Sequence, residues 1–118
     1  MKRVLIVDDA AFMRITIKNM LAKHDFDIVG EAENGKIAVQ KYQELSPDIV
    51  TMDITMPEMG GLEALREIMK INPAAVVIMA SAMGQEAMVR DAVMAGAKGF
   101  LVKPFKEDVI LAALSKFA

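Results

Sequence analysis

The chain has 118 residues, 54% of them hydrophobic and 25% charged, with a formal net charge of −2. That composition fits one globular domain with a real core rather than a disordered chain, and the charge argues against a dominant grip on a nucleic-acid backbone. The absence of cysteine excludes disulfides and thiolate metal sites.

Lys2 and Arg3 begin like a signal peptide, but the apolar run Val4–Val7 stops at Asp8 and Asp9, too soon for a signal core. The longest near-apolar stretch, Ala74 to Met83, is about half the length of a membrane span. A cytoplasmic protein with no membrane or nucleic-acid partner is expected, as one domain over 1–118 with no output domain attached.

Val4–Val7 is short and unbroken, as suits a strand buried on both faces of a parallel sheet. A helix is predicted from about Ala10, with Met13, Ile17, Met20 and Leu21 on one apolar face. Asp27–Glu31 reads as the second strand, Asn34-Gly35 as a turn, and about Lys36–Leu45 as the second helix, ended by Pro47. Ile49–Met52 is the third strand. The loop Thr55–Gly60 must turn sharply, with Pro57, Gly60 and Gly61 to help it.

Helix three covers about Leu62–Ile71 and stops at Asn72-Pro73. Val76–Ala80 is the fourth strand, about Gln85–Ala95 the fourth helix with Gly96 as its cap, and Phe100–Val102 the fifth strand. The last helix puts Ile110, Ala113, Leu114 and Phe117 on one face. Strand then helix, five times over, implies a parallel sheet with helices on both faces.

Ligands of such sheets sit at the carboxyl ends of the strands, where strand order reverses. Asp8 and Asp9 follow strand one and Asp53 follows strand three. In a flavodoxin-like order these strands are neighbours, so three acids share a crevice and need a cation. Hard carboxylate oxygens favour Mg²⁺ or Mn²⁺. Ser81 after strand four and Lys103 after strand five face the same crevice. Acid, metal, hydroxyl and ammonium make a phosphoryl site, with the carboxylate attacking phosphorus. Singly, each has a plainer reading: an N-capping Asp pair, a turn Asp, an N-capping Ser, a solvated Lys-Pro loop. Five of them at one sheet edge favour the functional reading.

The stretches VLIVDDAAFMR (4–14), GEAENGKIAV (30–39), PDIVTMDITMPEMGG (47–61), SAMG (81–84) and AGAKGFLVKPF (95–105) resemble response-regulator receiver domains over the whole length. The resemblance implies a doubly wound (βα)5 sandwich with strand order 2-1-3-4-5. It implies Asp53 as phosphoacceptor, with Ser81 and Lys103 on the phosphoryl oxygens. Asp9 would bind Mg²⁺ directly, Asp8 mainly through water, and Thr55 through its backbone carbonyl. Lys103-Pro104 would be cis.

Ser81 and Phe100 are the expected switch residues, Phe100 standing where Tyr is common. Gly60 takes the place of the usual Asp or Asn. Thr55 and Met83 would flank the path of a hydrolytic water, and Met83 cannot orient one. The implied partners of an expected monomer are a histidine kinase, a flagellar motor switch protein and a separate phosphatase. No chemistry beyond its own aspartyl phosphorylation and dephosphorylation is expected.

Three rivals remain. An aspartate-nucleophile phosphatase needs a second acid where Thr55 stands. A flavin carrier needs a phosphate loop that Asp8-Asp9 would repel. A phosphorelay shuttle, or the receiver of another signalling pathway, shares every motif. His24, near a helix end, is given no chemical role, and Met20, Met52 and Met79 are read as core filler.

Overall fold

The computed structural model describes residues 1–117. Ten elements alternate: β1 Lys2–Val7, α1 Ala11–Ala22, β2 Phe26–Ala32, α2 Gly35–Leu45, β3 Ile49–Asp53, α3 Gly61–Ile71, β4 Val77–Ser81, α4 Glu86–Met94, β5 Gly99–Val102 and α5 Glu107–Ser115. All strand pairs are parallel and the order is β2-β1-β3-β4-β5, as the resemblance implies. Among the described residues, no helix is long and apolar enough to cross a membrane.

The two faces of the sheet carry separate cores. Val4, Ile6, Ile49, Ile78 and Leu101 meet Ile17 and Leu21 of α1 and Ile110 and Leu114 of α5. Leu5, Val7, Val50, Met52, Val77 and Met79 meet α2, α3 and α4 through Ala38, Tyr42, Leu65, Ile68 and Ala92. The central strands β1, β3 and β4 are buried on both faces and so read as largely apolar runs, whereas the edge strands β2 and β5 are partly exposed. Each fully buried Leu or Ile contributes about 1.5–3 kcal/mol, so the sheet is a rigid platform for what lies at its edge.

The ends of elements differ from the expected ones for local reasons. β1 starts two residues early, because Lys2 and Arg3 already pair with Phe26 and Asp27. Arg3 N–H also donates to the Asp48 carboxylate at 2.8 Å. Asp53 and Ser81 are the last residues of their strands, pairing with Ala80 and Val102, rather than the first of their loops. Gly96 ends the fourth helical segment in the left-handed region, φ +116, as its capping role requires. Asn34 caps α2 by accepting the Ile37 N–H at 2.9 Å, so Asn34-Gly35 is a helix start rather than a free turn.

Candidate functional site

The strand order reverses between β1 and β3, and the crevice at their carboxyl ends gathers the expected acids. Asp8 is 1% exposed and Asp53 7%, while Asp9 reaches solvent. Asp8, Asp9 and Asp53 each offer an oxygen within 4.8 Å of the others. Asp8 uses one oxygen, Oδ1, to accept the Ala10 N–H at 2.9 Å, and the other, Oδ2, to accept Lys103 Nζ at 2.7 Å. Asp8 thus closes a turn and carries charge at once, but neither Asp caps α1, whose N-cap is Ala10 with no side-chain bond. Among the described residues, no side chain bonds the Asp9 carboxylate.

Lys103 also reaches Asp53 Oδ1 at 3.3 Å, so one ammonium serves two acids. The charges do not balance. Burial, then repulsion from Asp8, push the Asp53 carboxyl from 3.8 up to about 6, against the pull of Lys103. For Lys103, burial alone disfavours the cation, but the hydrogen bond to Asp8 and the two nearby carboxylates outweigh it and raise its pKa.

The backbone after β3 wraps tightly round Asp53. Gly61 N–H donates to the Ile54 carbonyl at 2.7 Å, and a Cβ on Gly61 would lie 1.9 Å from the Asp53 carbonyl oxygen. Glycine is needed there for close approach. The sharp turn falls within the expected loop, at Pro57–Met59 rather than at its glycines: Glu58 has φ +68 and Met59 N–H closes on the Pro57 carbonyl at 2.8 Å. Gly60 has an ordinary φ of −73 and begins α3 without a side-chain cap.

Ser81 is 1% exposed, and its hydroxyl donates to the Leu101 carbonyl at 3.4 Å. Lys103 N–H donates to the Ser81 carbonyl at 2.7 Å, and the Lys103-Pro104 bond is cis. Thr55 is exposed, with its hydroxyl held by Gln85. Phe100 is turned outward, 51% exposed. Met83, expected to flank the path of the hydrolytic water, is 80% exposed. His24 lies away from the acids and pairs with Glu107 at 3.3 Å.

Two residues of the site escaped sequence reasoning. Arg14 donates from one guanidinium nitrogen to the Asp8 carbonyl at 2.7 Å and from Nε to Glu31 at 3.1 Å, pinning the loop that carries the acids. A cation in the first turn of a helix opposes the helix dipole, and that misfit was the available signal. Gln85, the other, had none.

Fold and crevice define a class: a doubly wound α/β protein of flavodoxin-like order with an acidic crevice fit for a cation at its carboxyl edge. The chain belongs to the response-regulator receiver family, whose "Response regulator receiver domain" matches residues 4–115. It is 61% identical over 115 residues to the chemotaxis protein CheY of Thermotoga maritima, covering 98% of this chain and 96% of that one. It is 62% identical over 114 residues to CheY of Bacillus subtilis, covering 97% and 95%. The crystal structure of the CheX-CheY-BeF3-Mg complex from Borrelia burgdorferi matches with a TM-score of 0.93 at 41% identity, over 99% of this chain and 90% of that one.

Proposed function

We propose that this response regulator takes a phosphoryl group on Asp53 from a phosphohistidine of a histidine kinase and passes the signal to the chemotaxis machinery. The observation that carries the reading is the convergence of Asp8, Asp9, Asp53 and Lys103 at one sheet edge. An Asp53 oxygen forms the new bond to phosphorus, the phosphorus–nitrogen bond of the donor breaks, and the nitrogen keeps its electron pair. Lys103 already lies against Asp53 and places a positive charge where phosphoryl oxygens gather. Ser81, at the end of the neighbouring strand, offers its hydroxyl to the same oxygens.

The three carboxylates fit a hard divalent cation: their oxygens cluster, and Asp53 is raised first by burial and then by repulsion from Asp8, both of which a cation would relieve. Mg²⁺ or Mn²⁺ would be held by Asp8, Asp9 and Asp53 with the Thr55 carbonyl, and it supplies charge that neutralises the phosphoryl oxygens. The Borrelia relative's complex, with BeF3 and Mg, supports both halves of this reading.

The output surface is formed by α4, β5 and α5, where Met94 is 88%, Phe100 51% and Val102 43% exposed. A flagellar motor switch protein is the partner favoured by the likeness to chemotaxis regulators, with a separate phosphatase ending the signal in the cytoplasm. An aspartate-nucleophile phosphatase is disfavoured: Thr55 stands where the second acid is needed, and its hydroxyl is engaged by Gln85.

The test is labelling with acetyl phosphate and Mg²⁺, read by intact-protein mass spectrometry. Wild type gains one phosphoryl group and Asp53→Asn gains none. Labelling of the variant to the wild-type extent would overturn the assignment.

A further inference from the structure

One side chain joins the two loops that flank Asp53 and Ser81. Gln85 Nε2 donates to Thr55 Oγ1 at 2.8 Å, and Gln85 Oε1 accepts the backbone N–H of Ala82 at 2.6 Å. Gln85 immediately precedes α4 and makes no side-chain cap to the helix backbone; apart from a long contact with Met88 Sδ at 3.9 Å, its carboxamide turns to the two loops. Ala82 follows Ser81, the last residue of β4, so its N–H opens at the edge where Asp53 sits.

Both groups that Gln85 satisfies belong to exposed residues. Water would satisfy them equally well, so the fold does not need the carboxamide for hydrogen-bond accounting. What the carboxamide does is tie the β3–α3 loop to the β4–α4 loop and keep the Ala82 N–H occupied. A phosphoryl group brings close to two negative charges and three acceptor oxygens. It competes for every N–H at this edge, and the Ala82 N–H is already taken.

We propose that Gln85 is a positioning residue for the phosphoryl reaction: its carboxamide clamps the two loops in the resting arrangement and must release Ala82 before the phosphorylated arrangement forms. Release also frees Thr55 and the start of α4, so the same side chain ties pocket occupancy to the position of that helix. The clamp opposes switching and sets the resting balance. It rests on the reading of Asp53 as phosphoacceptor.

The test uses the whole chain with beryllofluoride and Mg²⁺, titrated by NMR since the chain has no tryptophan. Gln85→Ala should bind beryllofluoride about 3–10-fold more tightly than wild type. Its ligand-free Ala82 and Ser81 amide resonances should move part of the way toward their bound positions. Thr55→Val removes one of the two bonds but keeps the backbone carbonyl, and should give a smaller effect of the same sign. The double variant should match Gln85→Ala alone, because both changes open one clamp. Unchanged or weaker affinity in Gln85→Ala, or simple additivity, overturns the clamp. If Gln85→Ala does not fold, Thr55→Val carries the test alone, and no change in it counts against the proposal. Failure of wild type to bind beryllofluoride would instead overturn the phosphoacceptor reading.

Discussion

Asp53 carries a charge that its buried pocket resists. Its pKa rises from 3.8 to about 6, first through burial and then through Asp8. A carboxyl whose folded pKa exceeds its unfolded value favours the fold fully below the unfolded pKa, and that contribution is lost as pH rises through 6. Asp53→Asn removes this loss. In chelator at pH 7.5 the variant should be more stable than wild type by about 1–2 kcal/mol, and at pH 4 the difference should shrink to a few tenths of that. Mg²⁺ should stabilise wild type above pH 6 and the variant far less. Thermal melts at the two pH values, with and without Mg²⁺, check this; a wild type that is the more stable of the two in chelator at pH 7.5 contradicts it. Two residues back on the same face of β3, Thr51 is 2% exposed and its hydroxyl has no partner. Thr51→Val keeps the shape and removes an unpaired buried hydroxyl. It should gain about 1 kcal/mol, read as a higher denaturant midpoint at unchanged slope.

At the scale of elements, the central strands were legible because burial on both faces leaves largely apolar runs, and the acids were legible because strand ends are where those runs stop. Lys2 and Arg3 look unlike strand, yet they pair at the start of β1, where side chains reach solvent. Arg14 and Gln85 act on backbone groups, the Asp8 carbonyl and the Ala82 N–H, and every residue has those. The only mark in the sequence is the misplaced cation of Arg14 in the first turn of α1; nothing in the side-chain pattern marks Gln85. The β3–α3 loop shows the same limit: its glycines suggested the turn, but Glu58 makes it, and Gly61 is there because α3 starts against the Asp53 carbonyl. Gly61→Ala forces that helix start away from Asp53, since the obstacle is backbone and cannot yield like a flexible side chain. The variant should lose about 3 kcal/mol or more, and any folded fraction should label with acetyl phosphate more slowly. Chemical denaturation and the mass-spectrometric assay check the two halves; wild-type stability would show that the loop has slack.

Over the whole molecule, the pocket reaches the output surface through β5. Lys103 N–H donates to the Ser81 carbonyl at 2.7 Å, and the Ser81 hydroxyl donates to the Leu101 carbonyl at 3.4 Å, so the ends of β4 and β5 are tied together. Phe100 lies next to Leu101 and, with Met83, Val89 and Val102, lines an apolar cavity of about 450 Å³ between β5 and α4. On the proposed function, a phosphoryl group that draws Ser81 and the Lys103 ammonium inward would pull on the backbone beside Phe100, which lines a cavity it can turn toward. The cause is local electrostatics and the result is a changed surface. Lys103→Ala separates the two: the three acids remain, while the ammonium that pairs with Asp8 and Asp53 is gone. Beryllofluoride with Mg²⁺ should bind this variant about tenfold or more weakly, since a charge-assisted contact is worth about 1.5–3 kcal/mol. Compared at saturation, the chemical-shift changes around Phe100 and along α4 should be less than about half those of wild type, because a weaker pull shifts a two-state element less. Changes at Asp9 and Asp53 should persist. Identical changes along α4 in the two proteins would mean that the signal crosses the sheet without Lys103, leaving Ser81 as its carrier.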